Sequence, residues 1–328
     1  MLDTLRLGLI GVGGFSANYH IPRLLRRGDV EIAAICDPAA KPLAALQERL
    51  PGCAAFADYR QLVQVDGLDA VFVSSPNIYH FDQCRLALEK GLHLLVDKPL
   101  TMTAEQAANL VELAGAKDRV LMTAYTRHFM NSARHVRDQI VSGAMGSVHM
   151  ITAVQLKNRT DRREQHGGIF LCRTVHMADL IPWLNQSPVT AVEAQIEYDG
   201  PYENWAALWL YLANGLRARL LCVADSEQFQ DEITVYGAAQ SFRLQKDQLA
   251  ASDQRGDWIP VDLPPDQSNS TDHFVDVLLG NAQARAQSPT RLDGVDGLQA
   301  LRVLEAAAQS SRTGQRVELE NCPFATTH

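Results

Sequence analysis

The chain reads as an α/β protein of two domains, a doubly wound parallel sheet followed by an α+β domain built on a large, mostly antiparallel sheet. Three observations predict this. The first third alternates short apolar runs with amphipathic helical patterns, the grammar of a parallel sheet with crossover helices. Several of those runs are apolar at consecutive positions, as in Ala70-Val71-Phe72-Val73 and Leu94-Leu95-Val96, which suits strands covered on both faces. Beyond Tyr125 the pattern changes to alternation of apolar and polar residues, the mark of half-buried antiparallel strands. With 328 residues the chain also exceeds the size at which one core keeps growing, and the expected domains are residues 1–123 and 124–328.

In chain order, strands are expected at Leu5–Ile10, Glu31–Cys36, Asp69–Ser74, Leu92–Val96 and Val120–Ala124. Thr103-Ala-Glu-Gln106 has the form of a capping box, in which hydroxyl and amide satisfy the first free N–H groups reciprocally, and a helix to about Ala116 follows. In the second domain a helix from Asn131 to Ser142 ends at Gly143, a C′ glycine. Strands follow at Val148–Leu156, Val189–Glu197, Trp205–Tyr211 and Leu216–Val223, interrupted by one helix over Ile169–Leu184. Helices at Thr271–Leu279 and Gly294–Ser310 close the chain, after a Pro-, Asp- and Ser-rich surface loop over Gly256–Asp272.

Composition narrows the function classes. A formal charge of −8 with scattered Lys and Arg argues against nucleic acid, which needs a basic stripe. The apolar run from Leu5 is too short for a signal segment or a membrane span, so a soluble cytoplasmic protein is expected. Cys36, Cys53, Cys84, Cys172, Cys222 and Cys322 fall far apart with no C-x-x-C pair. They read as reduced thiols, and no metal is expected.

Gly11-Val12-Gly13-Gly14-Phe15-Ser16 directly follows the first strand and opens a helical stretch. A Rossmann dinucleotide fingerprint lies at that point, where glycines allow a tight turn and backbone N–H groups approach a pyrophosphate. Ser16 stands at the third glycine position. Asp37 closes the second strand, where a carboxylate accepts from the adenosine ribose hydroxyls and disfavours a 2′-phosphate. This selects NAD as cofactor, while the nearby Lys41 keeps NADP open. Ligands of such a sheet bind beyond the carboxyl ends of its strands. Ser74, Ser75, Pro76, Asn77 and His80 occupy that edge after the fourth strand, and Asp97, Lys98 and Pro99 after the fifth.

The glycine fingerprint, the acid after strand two, P-N-x-x-H after strand four and Asp97-Lys98-Pro99 after strand five together resemble the Gfo/Idh/MocA oxidoreductase family. The resemblance continues through Tyr125-Thr-Arg127, Gly143-x-x-Gly146, Gly167-Gly168, His176-x-x-Asp179 and the final helix. It implies hydride transfer between a nicotinamide and a sugar, polyol or related hydroxy or carbonyl compound. It further implies cofactor contacts from Gly11, Val12, Gly13, Gly14, Phe15, Asp37, Ser75, Pro76, Asn77, His80, Asp97 and Lys98. Lys98 would orient the substrate and relay a proton beside a Lys–Pro bond that is often cis in the family, and His176 would be the acid/base, a task suited to imidazole. Tyr125, Arg127, Cys172 and Arg173 would join Lys98 and His176 around the substrate.

The chain departs from the family one helical turn before His176, where members carry Asp and this chain has Cys172. On a regular helix, residues i and i+4 share a face, which would set the thiol beside the imidazole. A thiol does not replace a carboxylate in holding an imidazole tautomer. Arg173, with Arg127, His128 and Arg163, suggests a pocket for an acidic or phosphorylated sugar. Two other readings keep the fold: a cofactor-binding regulator with weakened catalysis, and a redox-neutral sugar-processing enzyme that retains NAD. The resemblance also implies a homodimer or homotetramer formed through the C-terminal sheet, with Trp205, Trp209 and Tyr211 as candidate contacts, a pattern that also fits an internal core.

Overall fold

The computed structural model describes residues 4–157, 163–245 and 248–319; Cys322 and the side chain of Arg163 lie outside the described residues. The chain forms two compact units. The first runs as far as Tyr125 and is completed by Ser268–Leu298; the second holds Thr126–Gln267 and the chain from Gln299 onward. The expected single break after residue 123 does not include this return of the chain to the first unit.

The first unit contains six parallel strands, β1 (Leu5–Ile10), β2 (Val30–Cys36), β3 (Ala54–Phe56), β4 (Ala70–Val73), β5 (His93–Val96) and β6 (Leu121–Thr123), in the order β3-β2-β1-β4-β5-β6. This is the doubly wound arrangement that the alternation predicts, with the strand order reversing between β1 and β4. Leu7, Leu9, Val71, Leu94, Val96 and Leu121 are each at most 1% exposed, so these strands contribute by burial on both faces, about 1.5–3 kcal/mol for each large side chain. The helix Ala104–Ala116 begins as expected, with the Gln106 N–H donating to Thr103 Oγ1 at 3.2 Å. The reciprocal bond falls one residue earlier than a standard capping box: Gln106 Oε1 accepts from the Met102 N–H at 3.3 Å.

The second unit is built on nine strands, β7 (Val148–Leu156), β8 (Val189–Asp199), β9 (Tyr202–Leu212), β10 (Arg217–Val223), β11 (Gln230–Gly237), β12 (Phe242–Gln245), β13 (Gln248–Ser252), β14 (Trp258–Pro260) and β15 (Val317–Glu318). Their order is β14-β13-β12-β11-β7-β10-β9-β8-β15, antiparallel throughout except for β7 with β10. The sheet is larger than the four expected strands because β11 opens on the polar run Gln-Asp-Glu and β12 to β14 are short, so neither shows a long alternation. β14 lies inside the segment expected to be loop. The helix expected over Ile169–Leu184 is also resolved differently: Phe170–Thr174 winds as a π-helical turn, and a regular α-helix runs only over Val175–Asn185. Gly143 follows the helix Asn131–Val141 with φ of +74°, as a C′ glycine should.

Candidate active site

At the carboxyl edge of the six-stranded sheet, Gly11 leaves β1 with φ of +83°. A Cβ there would stand 2.6 Å from the Ser74 carbonyl atoms and 2.7 Å from Ser75 N, so only glycine lets the turn close against the end of β4. Asp37, half-buried at the end of β2, accepts from Val12 N at 3.1 Å and from Ala39 N at 2.9 Å, one oxygen each. Each carboxylate oxygen retains a further lone pair. A Cβ on Gly13 would lie 4.0 Å from Asp37 Oδ2, and one on Gly14 would meet nothing within 4 Å, so the backbone of the turn is open to close approach. Phe15 is 49% exposed and stacks on Tyr19, ring centroids 4.8 Å apart. This surface fits a dinucleotide: bare backbone for a pyrophosphate, and a carboxylate with free acceptor capacity for a ribose diol.

The loops after β4 and β5 are tied together by buried groups. Ser75 Oγ donates to Gln83 Oε1 at 2.6 Å. His80, with no solvent exposure, sets Nδ1 2.8 Å from the Pro99 carbonyl and Nε2 2.9 Å from the Ser75 carbonyl. Burial pulls the His80 pKa below its ordinary value, against the opposing effect of the two carbonyls, and a neutral ring donates to only one of them. The imidazole thus acts as a strut under the Lys98–Pro99 peptide, which is cis as the resemblance implies. Asp97 accepts from the Ser74 hydroxyl and lies 3.0 Å from His20 Nε2, whose other nitrogen is 2.8 Å from Thr271 Oγ1. Burial would raise the Asp97 pKa, but His20 and Ser74 outweigh it and hold the carboxyl below the usual range. Ser75, His80 and Asp97, all expected as cofactor contacts, thus have side chains turned to protein partners. Neither His20 nor Thr271 carries a sequence signal; Thr271 lies 251 positions downstream of its partner.

In the second unit a polar row lies across one end of the nine-stranded sheet. Gln155 on β7 is paired in register with Asp231 on β11 and with Cys222 on β10, and all three are buried. Arg127, from the 3₁₀ turn Thr126–Phe129, places Nη2 2.5 Å from Asp231 Oδ2. Arg173, from the π-helical turn, lies 3.8 Å from the same oxygen, and its guanidinium covers the Phe229 ring at 4.8 Å. Gln155 Nε2 donates to the Arg173 carbonyl at 3.3 Å, which fixes the turn on the sheet. Beside it, His128 Nε2 stands 2.8 Å from Asp179 Oδ2, and the His128 ring stacks on Trp183 at 4.4 Å. Burial raises the Asp179 carboxyl despite the opposing pull of His128.

His176, half-buried, lies in the first turn of the helix Val175–Asn185. The i,i+4 relation expected between Cys172 and His176 falls across a π-helical turn over Phe170–Thr174 and not on one regular α-helix. The Cys172 thiol instead points back to the carbonyls of His166 at 3.6 Å and Gly167 at 3.7 Å. A Cβ on Gly168 would meet the Glu203 carboxylate, which would have to swing aside to admit it. Tyr125 is 1% exposed and belongs to the first unit. Cys36, Cys53, Cys84, Cys172 and Cys222 are free thiols. Among the described residues no group of three His, Cys, Asp or Glu side chains is placed to hold a metal, and no helix is long and apolar enough to cross a membrane.

A glycine turn sealed against β4, an acid at the end of β2 and a switch point between β1 and β4 define a Rossmann dinucleotide-binding protein. Residues 5–125 match the oxidoreductase family with an NAD-binding Rossmann fold, and residues 133–243 match the GFO/IDH/MocA C-terminal domain. The chain belongs to the Gfo/Idh/MocA oxidoreductase family. It is 32% identical over 197 residues to inositol 2-dehydrogenase of Corynebacterium glutamicum (strain R), spanning 60% of this chain and 58% of that protein. It is 29% identical over 185 residues to D-glucoside 3-dehydrogenase of Escherichia coli (strain K12), spanning 54% and 53%. The chain thus covers little more than half the length of these relatives. Among solved structures, the aldose-aldose oxidoreductase from Caulobacter crescentus complexed with glycerol superposes with a TM-score of 0.85 at 20% identity, over 96% of this chain and 100% of that one. The WlbA dehydrogenase from Bordetella pertussis, in complex with NADH and UDP-GlcNAcA, gives 0.82 at 22% identity, over 97% and 100%. At these identities the two structures share the fold.

Proposed function

We propose that the chain is an NAD-dependent oxidoreductase that transfers a hydride between the nicotinamide and a carbinol or carbonyl carbon of a sugar, polyol or related small molecule. The observation that carries this reading is the Gly11 turn packed against Ser74 and Ser75 with Asp37 beside it. In it the first unit binds NAD(P), with Gly11 to Phe15, Asp37, Ser75, Pro76 and Asn77 along the cofactor crevice, and the second unit binds substrate and mediates oligomerisation. The cofactor, when bound, supplies the hydride acceptor or donor; the protein supplies orientation and proton management.

Lys98 is the substrate-orienting group and proton relay, held at the loop that His80 and Asp97 brace. His176 is the acid/base, taking the carbinol proton in the oxidative direction and returning it in the reductive one. Arg127, Cys172 and Arg173 belong to the substrate side of the second unit, and Tyr125 to the lining of the first. The row Trp205, Trp209 and Tyr211 alternates with the buried Ala206, Leu208 and Leu210 on β9, and Trp209 is 37% exposed. This supports the open sheet face as a homo-oligomer contact of a cytoplasmic protein acting on small molecules, with neither nucleic acid nor membrane as partner.

The test is a fluorescence titration with NAD(H) and NADP(H), followed by reduced-nicotinamide absorbance with a sugar and polyol panel. NAD binding tighter than NADP, with turnover lost in Lys98→Ala while cofactor affinity persists, is the expected result. Binding without net turnover would transfer support to a regulator or to a redox-neutral enzyme retaining NAD. Failure to bind either cofactor would overturn the reading.

A further inference from the structure

The polar row of the second unit holds more positive charge than its own carboxylate balances. Three cations gather there. Arg127 and Arg173 share the single Asp231 carboxylate, at 2.5 and 3.8 Å. Lys157 follows Gln155 by two residues, its backbone still paired to β10 through Val223 at 3.0 Å, so strand alternation places it on the face that carries Gln155. Among the described residues Lys157 has no carboxylate partner of its own; Asp225 and Glu227 on the adjacent loop are exposed to water. The pKa shifts agree with the geometry. Burial lowers both Arg173 and Lys157, and mutual repulsion adds to it, Arg127 acting on Arg173 and Arg173 on Lys157.

Asp231 is the deep layer of this arrangement. Its side chain is 3% exposed against 22% for Arg173, so it braces the guanidinium groups from below and leaves Arg173 and Lys157 as the outward cations. The neighbour of Arg173 in sequence is the uncharged thiol Cys172, so no carboxylate stands beside it there. Exposed Phe229 flanks the Arg173 guanidinium and leaves its edge for a ligand.

We infer that Arg173 and Lys157, braced by Arg127 and Asp231, form a receptor for an anionic substituent of the substrate, a carboxylate or a phosphate ester, so that the preferred substrate is an acidic sugar derivative and not a neutral polyol. The inference rests on the reading of this unit as the substrate side. A planar guanidinium presents paired donors to either anion, and an ammonium adds a point charge beside it.

Calorimetric titration of the NADH-loaded protein tests this with hexoses offered in three forms: the neutral sugar, its uronate and its 6-phosphate. The expected result is binding of at least one charged form tenfold or more tighter than the neutral sugar. That advantage should fall at least fivefold in Arg173→Gln and in Lys157→Met, and should shrink with added salt. Whichever charged form wins identifies the anion. Equal affinity for neutral and charged forms, no binding of any form, or an advantage unchanged in both variants would overturn the inference. Two variants are used because Lys157 is the more exposed to water of the pair by position, and its loss leaves the Arg–Asp layer intact. Turnover measured in parallel separates this from the functional reading. Turnover of neutral sugars without a charge advantage would overturn the receptor and retain the oxidoreductase, whereas charge-selective binding without net hydride transfer would do the reverse.

Discussion

At the carboxyl edge of the six-stranded sheet, Asp97 is matched by His20 and Ser74, and Asp37 by two backbone N–H groups. On the nine-stranded sheet, Arg127 and Arg173 share the Asp231 carboxylate, and Lys157 stands close enough to Arg173 to be repelled by it. The first region is compensated by its own chain and presents mainly backbone, as suits a ligand whose phosphates and riboses do not vary. The second is left with surplus charge and a thiol, as suits a variable ligand that brings its own complement. On the proposed function, specificity for the cofactor would be carried by main-chain geometry, and specificity for the substrate by side chains that a few substitutions can retune.

The strongest way to break the comparison is Gly11→Val. A side chain there meets the Ser74 and Ser75 backbone at a positive φ, so NAD affinity should fall at least about 100-fold and stability by about 3 kcal/mol or more, measured by calorimetry and urea unfolding. Asp231→Asn should come next. It leaves two half-buried guanidinium groups without that carboxylate and, discounted for their exposure, should cost about 2 kcal/mol in unfolding free energy, while NAD affinity stays unchanged; an equal loss in both readouts would erase the distinction between the regions.

Acid should weaken the first unit at a known position. His93 Nδ1 accepts from Val120 N at 2.9 Å, and burial, with Arg119 and Arg285, lowers its pKa to about 4. The unfolded chain therefore takes up this proton first. The contribution of the neutral ring is complete above the ordinary histidine value near 6.5 and is lost as pH falls from there toward about 4. After allowance for partial exposure, about 2 kcal/mol should disappear over that window, and His93→Asn, which keeps an acceptor without the titration, should flatten the dependence of Tm on pH. The smallest effect expected is from Cys172→Asp, which places a carboxylate beside Arg173 and should shift kcat/KM toward neutral sugars by about threefold, without changing NAD affinity.

How much of this was legible in the sequence follows the same division. The glycine turn and Asp37 could be anticipated because short stretches beside the strand ends specify them, and the cis Lys98–Pro99 bond because the family resemblance implies it. The parallel sheet was equally clear, since strands buried on both faces leave unbroken apolar runs. The Gln155, Asp231 and Cys222 row was not, because it is created by register between strands 67 or more positions apart in sequence. Lys157 and Phe229 belong to no sequence motif, for the same reason. The π-helical turn was hidden too, because its residues keep a helical apolar spacing.

The return of Ser268–Leu298 to the first unit sets an order of events during synthesis. His20 emerges from the ribosome early, yet its Thr271 partner is 251 residues behind it. The first unit is consequently completed only after the chain of the larger sheet from β7 to β14 has been made. A fragment ending at Tyr125 would leave His20 without that hydroxyl and β6 without the Leu121–Asp293 bridge, so the first unit is not a cassette that one cut can release.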